Sequence, residues 1–185
     1  MTVCVGIDGC RAGWIAVISE PSGVTAHLLT TVEELVPRLS ATAVVAIDVP
    51  IGLVDAGARD CDRLARQRLG PRRGSSVFPA PIRPVLTAAT HADACEICAR
   101  IEGKRMSLQA FAIVPKVREV DALLRGRPWL QSVVKEVHPE LCFAVWNGGV
   151  AMAHAKKTAA GRAERERLIE MWRPGLHASL RTRWT

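Results

Sequence analysis

Tyrosine is absent from the 185-residue chain, and only three phenylalanines and five tryptophans are present. So few rings argue against an extended platform on which successive bases stack. No uninterrupted apolar run approaches the roughly 20 residues that span a bilayer, which excludes a transmembrane helix. The N-terminus passes straight into a strand-like segment, with no basic region ahead of a cleavable apolar stretch, so the expected compartment is the cytoplasm. Six cysteines, at positions 4, 10, 61, 95, 98 and 142, are too dispersed for the disulfide framework of a small secreted domain. Repeats, linkers and low-complexity segments are missing, and the length suits one domain over residues 1–185. Acidic residues are in deficit: 18 Asp and Glu face 25 Lys and Arg, a formal charge of +7. That balance favours an anionic partner, nucleic acid above all. The excess gathers at Arg59, Arg63, Arg66, Arg68, Arg72 and Arg73, and again at Arg162, Arg165, Arg167 and Arg173. Solvated helix faces account for part of it.

The remainder is a folded chain, 49% apolar with a mean hydropathy of +0.13. Three candidate strands, Val3–Asp8, Gly13–Ser19 and Val24–Thr30, are joined by corners at Gly9–Ala12 and Glu20–Gly23, an antiparallel meander. Thr31, with Glu34 three residues on, opens a helix, and Pro37 sits in its first turn or ends it early. The wholly apolar strand Val44–Val49 reads as buried on both faces, as in an interior parallel strand. The intervening helix is then the crossover that lays this strand parallel to the first.

Each of these two strands delivers an aspartate, Asp8 and Asp48, into a turn. As neighbours, they would bring both carboxylates to one sheet edge, close enough to share a cation. An ionised Asp there is costly unless water, a donor or a metal meets it. The alternative is a pair of turn formers that satisfy nearby backbone amides.

Further along, a helix over Arg59–Leu69, closed by Gly70-Pro71, turns Cys61, Leu64, Ala65 and Leu69 inward and its arginines outward. The proline-rich segment Gly74–Pro84 is a structured loop. Residues 88–102 and 107–125 read as two helices, with Pro115 kinking or shortening the second. Ser132–His138 reads as a fifth strand ending in polar groups, Glu136, His138 and Glu140. A short helix over 140–147 stops at Asn147-Gly-Gly149, and Thr158–Trp172 is a charged amphipathic helix.

This order, β-β-β-α-β-α followed by further α and β elements, resembles the ribonuclease H-like fold: an α/β architecture with a mixed five-stranded sheet flanked by helices. The blocks Gly6-Ile-Asp-Gly-Cys-Arg-Ala-Gly-Trp14, Ile47-Asp-Val-Pro-Ile-Gly52 and Arg72-Arg-Gly-Ser-Ser-Val-Phe-Pro-Ala-Pro81 narrow the resemblance. With Glu136-Val-His-Pro-Glu140 and the segment from Lys156-Lys-Thr158 to Arg165, they are similar to the domain of unknown function 429 family, described as predicted nucleases. That resemblance implies a metal-dependent nuclease hydrolysing phosphodiester bonds of nucleic acid. Nucleases of this fold usually complete their acidic cluster with a carboxylate on a C-terminal helix, but residues 173–185 contain no Asp or Glu. Either the chain lacks that helix or its last acid comes from elsewhere.

Phosphodiester hydrolysis needs an activated water and a stabilised leaving oxygen, which two divalent cations about 3.5–4 Å apart provide. Oxygen ligands suit Mg2+ or Mn2+. Asp8 and Asp48 are the expected ligands, with Glu136 third and Glu140 its rival. His138 is placed to orient a water or contact phosphate, or else simply packs at a strand end. Ser75 and Ser76, helped by Arg72 or Arg73, are candidate phosphate contacts, as are Lys156, Lys157, Arg162 and, in the first corner, Arg11. His91, Cys95 and Cys98 form one helical stripe that offers zinc three ligands but no fourth; buried apolar cysteines are the competing reading. The Gly6–Gly9 start also resembles the phosphate loop of actin-like and sugar kinases, whose second domain 185 residues cannot hold. The main alternative is an inactive nucleic-acid-binding or interaction module that keeps the basic surface without the last carboxylate.

Overall fold

The computed structural model describes residues 2–176. Strands β1 (Cys4–Cys10), β2 (Gly13–Glu20), β3 (Gly23–Leu29), β4 (Val44–Ile47) and β5 (Val134–Glu136) form one sheet in the order β3-β2-β1-β4-β5. The first three are antiparallel, and β1–β4 and β4–β5 are parallel. Three antiparallel strands followed by parallel ones, flanked by helices, make this an α/β protein of the ribonuclease H-like fold.

Local chemistry accounts for the meander. The β1–β2 turn is Arg11-Ala12, and Gly13 follows with φ +138°, where a Cβ would lie 2.0 Å from the Leu29 carbonyl oxygen. Only glycine fits that corner. The crossover is a 3-10 helix over Val32–Arg38 with Pro37 inside it, not an α-helix. Its entry is fixed by the Glu34 carboxylate, which accepts from the Thr31 amide at 3.0 Å.

One face of the sheet carries the main core: Val5, Ile7, Trp14, Ala16, Ile18, Val45 and Ile47 are all buried. It is covered by the 3-10 helix and by α4 (Val114–Gly126), which contributes Val117, Val120 and Leu124. Trp14, fully buried, donates its indole N–H to Glu119 and lies under the Lys116 ammonium, 4.3 Å from the ring centre. The expectation that β4 is buried on both faces is corrected: Val44 is 50% exposed while Val45 and Ile47 are buried. The second face is only partly covered near the start of the strand, so burial alternates with the pleat.

The other helices are α1 (Asp60–Arg73), α2 (His91–Glu102), α3 (Leu108–Phe111), α5 (Leu130–Val133), α6 (Pro139–Trp146) and α7 (Ala159–Trp172). Within the α1 span the first helix ends where expected, since Gly70 is non-helical (φ 66°, ψ −173°), and a second helical turn follows from Pro71. The buried residues of α1 are Asp62 and Leu69, whereas Leu64 is 54% exposed and Cys61 lies at the surface. Pro115 splits the 107–125 segment into α3 and α4, starting the second, where a proline costs no hydrogen bond. The fifth strand is shorter than the apolar pattern suggests, because Leu130–Val133 closes a helical turn first. All six cysteines are free thiols. Among the described residues no helix is long and apolar enough to cross a membrane. Residues 177–185, most of the acid-free tail, lie outside the described residues.

Candidate active site

Parallel pairing of β1 with β4 puts Ile7 opposite Ile47, and the Asp48 amide donates to the Ile7 carbonyl at 3.1 Å. Asp8 and Asp48 therefore follow at the same level of adjacent strands. Strand β1 continues to Cys10, so Asp8 sits within it, opposite Ile15, and not in the turn. Among the described residues no hydrogen-bond donor or ion-pair partner reaches either carboxylate. The Asp48 carboxyl is held above its ordinary pKa, first by burial and then by the charge of Asp8; His138 and Lys156 pull it back down. Two unpartnered carboxylates on adjacent strands, one of them held protonated above its ordinary range, make an arrangement a cation would relieve.

Both line a cleft of about 490 Å³ at the ends of β1, β4 and β5, walled by α1, α6 and Lys156. His138, at the entry to α6, sits on its wall. Its Nε2 lies 3.1 Å from the Ser76 carbonyl oxygen, which can only accept, so Nε2 carries the proton. Nδ1, an acceptor when the ring is neutral, is buried and without a partner among the described residues.

Glu136 and Glu140 also line this cleft, in a different state. Both oxygens of Glu136 accept from Arg59, at 2.7 and 2.8 Å, and Oε2 also takes the Ile51 amide at 2.8 Å. Arg59 is 6% exposed, not solvated as a member of the basic segment would be. Its remaining donors go to Asp62 and the Ile51 carbonyl. Although burial opposes its charge, hydrogen bonds to Glu136 and Asp62 push its pKa above the ordinary guanidinium value. Glu140 is gripped through both oxygens by Arg165, at 2.6 and 2.7 Å, with both side chains buried. Among the described residues no group of three His, Cys, Asp or Glu converges as a metal centre.

Of the expected phosphate contacts, Ser76 and Lys156 line the cleft. Arg73 is committed to the Met152 and Ala153 carbonyls. Arg162 donates to the Lys157 carbonyl. Arg11, Arg72, Ser75 and Lys157 are exposed and do not line the cleft. At the competing zinc stripe, His91 Nε2 and Cys95 Sγ are 3.4 Å apart and both approach the Met106 carbonyl, while Cys95 and Cys98 are buried. These groups already satisfy one another, the packing role of buried thiols.

Sequence reasoning missed Arg59, Asp62 and Arg165 as site residues. The i, i+3 spacing of Arg59 and Asp62 at a helix start is the one local signal that could have found the first two.

A model for the family described as "Protein of unknown function (DUF429)" matches residues 6–183. No curated protein and no solved structure matches the chain.

Proposed function

We propose that this chain, which belongs to the DUF429 family, is a metal-dependent nuclease that hydrolyses phosphodiester bonds at the Asp8–Asp48 edge. The observation that carries the reading is this pair of carboxylates, without protein donors among the described residues, lining a cleft of about 490 Å³. Hard anionic oxygens at the ends of adjacent parallel strands fit Mg2+ or Mn2+. Bound there, such a cation lowers the pKa of a water and stabilises charge on a phosphate.

The chain's own residues do the rest. Asp8 and Asp48 supply negative charge that cannot neutralise on a neighbouring donor. Lys156, close enough to lower the pKa of Asp48, attracts the phosphate backbone. His138, with Nε2–H fixed on the Ser76 carbonyl, has Nδ1 left as a proton acceptor whenever the ring is neutral. Glu136, the third expected ligand, would have to share its oxygens with Arg59. That engagement favours a second reading, a module that binds nucleic acid without cleaving it. Free thiols throughout suit the reducing cytoplasm.

Calorimetric titration with Mn2+, followed by a panel of DNA and RNA substrates, tests the proposal. The native chain should bind Mn2+, and Asp8→Asn and Asp48→Asn, each folded by circular dichroism, should not. No binding by the native chain at millimolar Mn2+, with or without nucleic acid, would sink the nuclease reading. Binding without cleavage of any substrate would favour the module.

A further inference from the structure

Rings are scarce in this chain, but four of its eight Phe and Trp side chains gather in one region. Phe78 and Phe143 line the cleft that holds Asp8 and Asp48. Phe143 meets Trp146 edge-on with ring centres 5.6 Å apart, and Trp146 meets Trp172 at 6.3 Å. The series follows the seam between α6 and α7. It begins at the buried Glu140–Arg165 pair, whose guanidinium lies 5.6 Å from the Phe143 ring, and ends in the open. Phe78 is 51%, Trp146 39% and Trp172 61% exposed.

Side chains so exposed are not explained by the core, and a patch of this kind marks a contact surface. Its surroundings indicate the occupant. Lys156 stands on the cleft wall. The Arg68 guanidinium reaches Gly149, just past the end of α6, to within 3.2 Å of where a Cβ would sit. Arg173 directly follows Trp172 and is exposed. Rings interleaved with cations suit a polyanion whose repeating unit has a flat apolar face, and they disfavour a second copy of a chain already at +7.

We infer that Phe78, Phe143, Trp146 and Trp172 form a short stacking track that leads a single-stranded nucleic acid into the Asp8–Asp48 cleft. This deepens the nuclease reading, on which it rests for the destination of the strand. Unpaired bases can stack on the rings while Lys156, Arg68 and Arg173 follow the backbone. A duplex hides its base faces and cannot use the track. The low ring count spoke against a long platform; a track of a few bases needs only these four.

The test is fluorescence anisotropy with labelled oligo(dT), oligo(U) and a duplex of equal length, in EDTA so that binding is read apart from metal and cleavage. The native chain should prefer the single strands. Trp172→Ala and Phe78→Ala, at exposed positions that leave the fold intact, should each bind them at least about 5-fold more weakly. Duplex binding should be unchanged. Equal single-strand affinity in native chain and variants would overturn the track, even if Mn2+-dependent cleavage is found. Conversely, variant-sensitive binding without any Mn2+ site would keep the track and end the nuclease reading. A native dimer that Trp172→Ala dissociates would assign the rings to a second copy. No oligonucleotide binding, with loss of thermal stability on deleting residues 177–185, would assign them to the chain's own tail. Either result overturns the proposal.

Discussion

Asp8 and Asp48 meet no donor among the described residues, while Glu136 and Glu140 in the same cleft are each held by a guanidinium through both oxygens. The same functional group thus serves two ends. Glu136 accepts from Arg59 and the Ile51 amide, so its charge ties β5, the start of α1 and the loop after Asp48 together. Glu140 ties α6 to α7 through Arg165, which also donates to the His154 and Gly161 carbonyls. These pairs hold the walls still. The aspartates are left with charge to offer a ligand. A rigid rim around unsatisfied groups is what a binding site needs, since groups that were free to turn would find protein donors instead.

The sharpest way to break this contrast is to remove a guanidinium. Arg165→Ala leaves Glu140 buried and unpaired, which should cost about 3–5 kcal/mol. Arg59→Ala leaves Glu136 to the Ile51 amide and Asp62 to the Ala80 amide, and should cost about 2–4 kcal/mol, less than Arg165→Ala because Glu136 is partly exposed. Urea unfolding checks both. If either variant loses less than about 1 kcal/mol, its pair is not structural in the sense argued here.

A milder change separates wall from ligand. Glu136→Gln keeps the shape but removes a charge facing Arg59, and should cost about 1–3 kcal/mol. Its Mn2+ affinity should fall less than 10-fold, against complete loss for Asp8→Asn. Complete loss of Mn2+ binding at unchanged stability would mean that Glu136 leaves Arg59 to serve as the third ligand.

The acidic pair is legible in the sequence because its signals are local. Apolar runs of strand length end at Asp8 and Asp48, and one crossover connection fixes their strands as parallel. Glu136 and His138, which also line the cleft, are legible in the same way, from a strand that ends in polar residues. The guanidiniums were not legible. Arg59 and Glu136 are 77 positions apart, and Arg165 and Glu140 are 25 apart. Without the fold each arginine looks like part of a solvated basic face, which is the usual fate of that residue type. The converse error occurred at Leu64 and Val44, apolar residues left exposed because nothing packs over them. Ring placement is equally hidden: composition counts aromatics but cannot say that three of the eight share one seam.

The smallest expected effect reads the cost of ionising Asp48. Asp48 in the metal-free fold holds its proton above the ordinary value of 3.8, chiefly through burial and then through Asp8. Between 3.8 and that raised value the native chain binds a proton that the unfolded chain has released. Stability from this group is therefore full below the unfolded pKa and is lost as pH rises through the folded one. Other acids slope the opposite way. Backbone and side-chain hydrogen bonds at Thr90 lower the pKa of Asp93, and the amides of Ala153 and His154 outweigh desolvation to lower that of Glu164, so both favour the fold at higher pH. A single pH curve would mix these terms, and the difference between native chain and Asp48→Asn, measured in EDTA, isolates the one of interest. That difference should be small near pH 3 and grow in favour of Asn as pH rises, reaching a few degrees of Tm at most, since about 1 kcal/mol moves a chain of this size by roughly 2–4 °C. Adding Mn2+ should reverse its sign, because only the native carboxylate gains from the cation. A pH-independent difference would mean that Asp48 ionises without penalty, and that the contrast with the arginine-held glutamates is one of geometry alone.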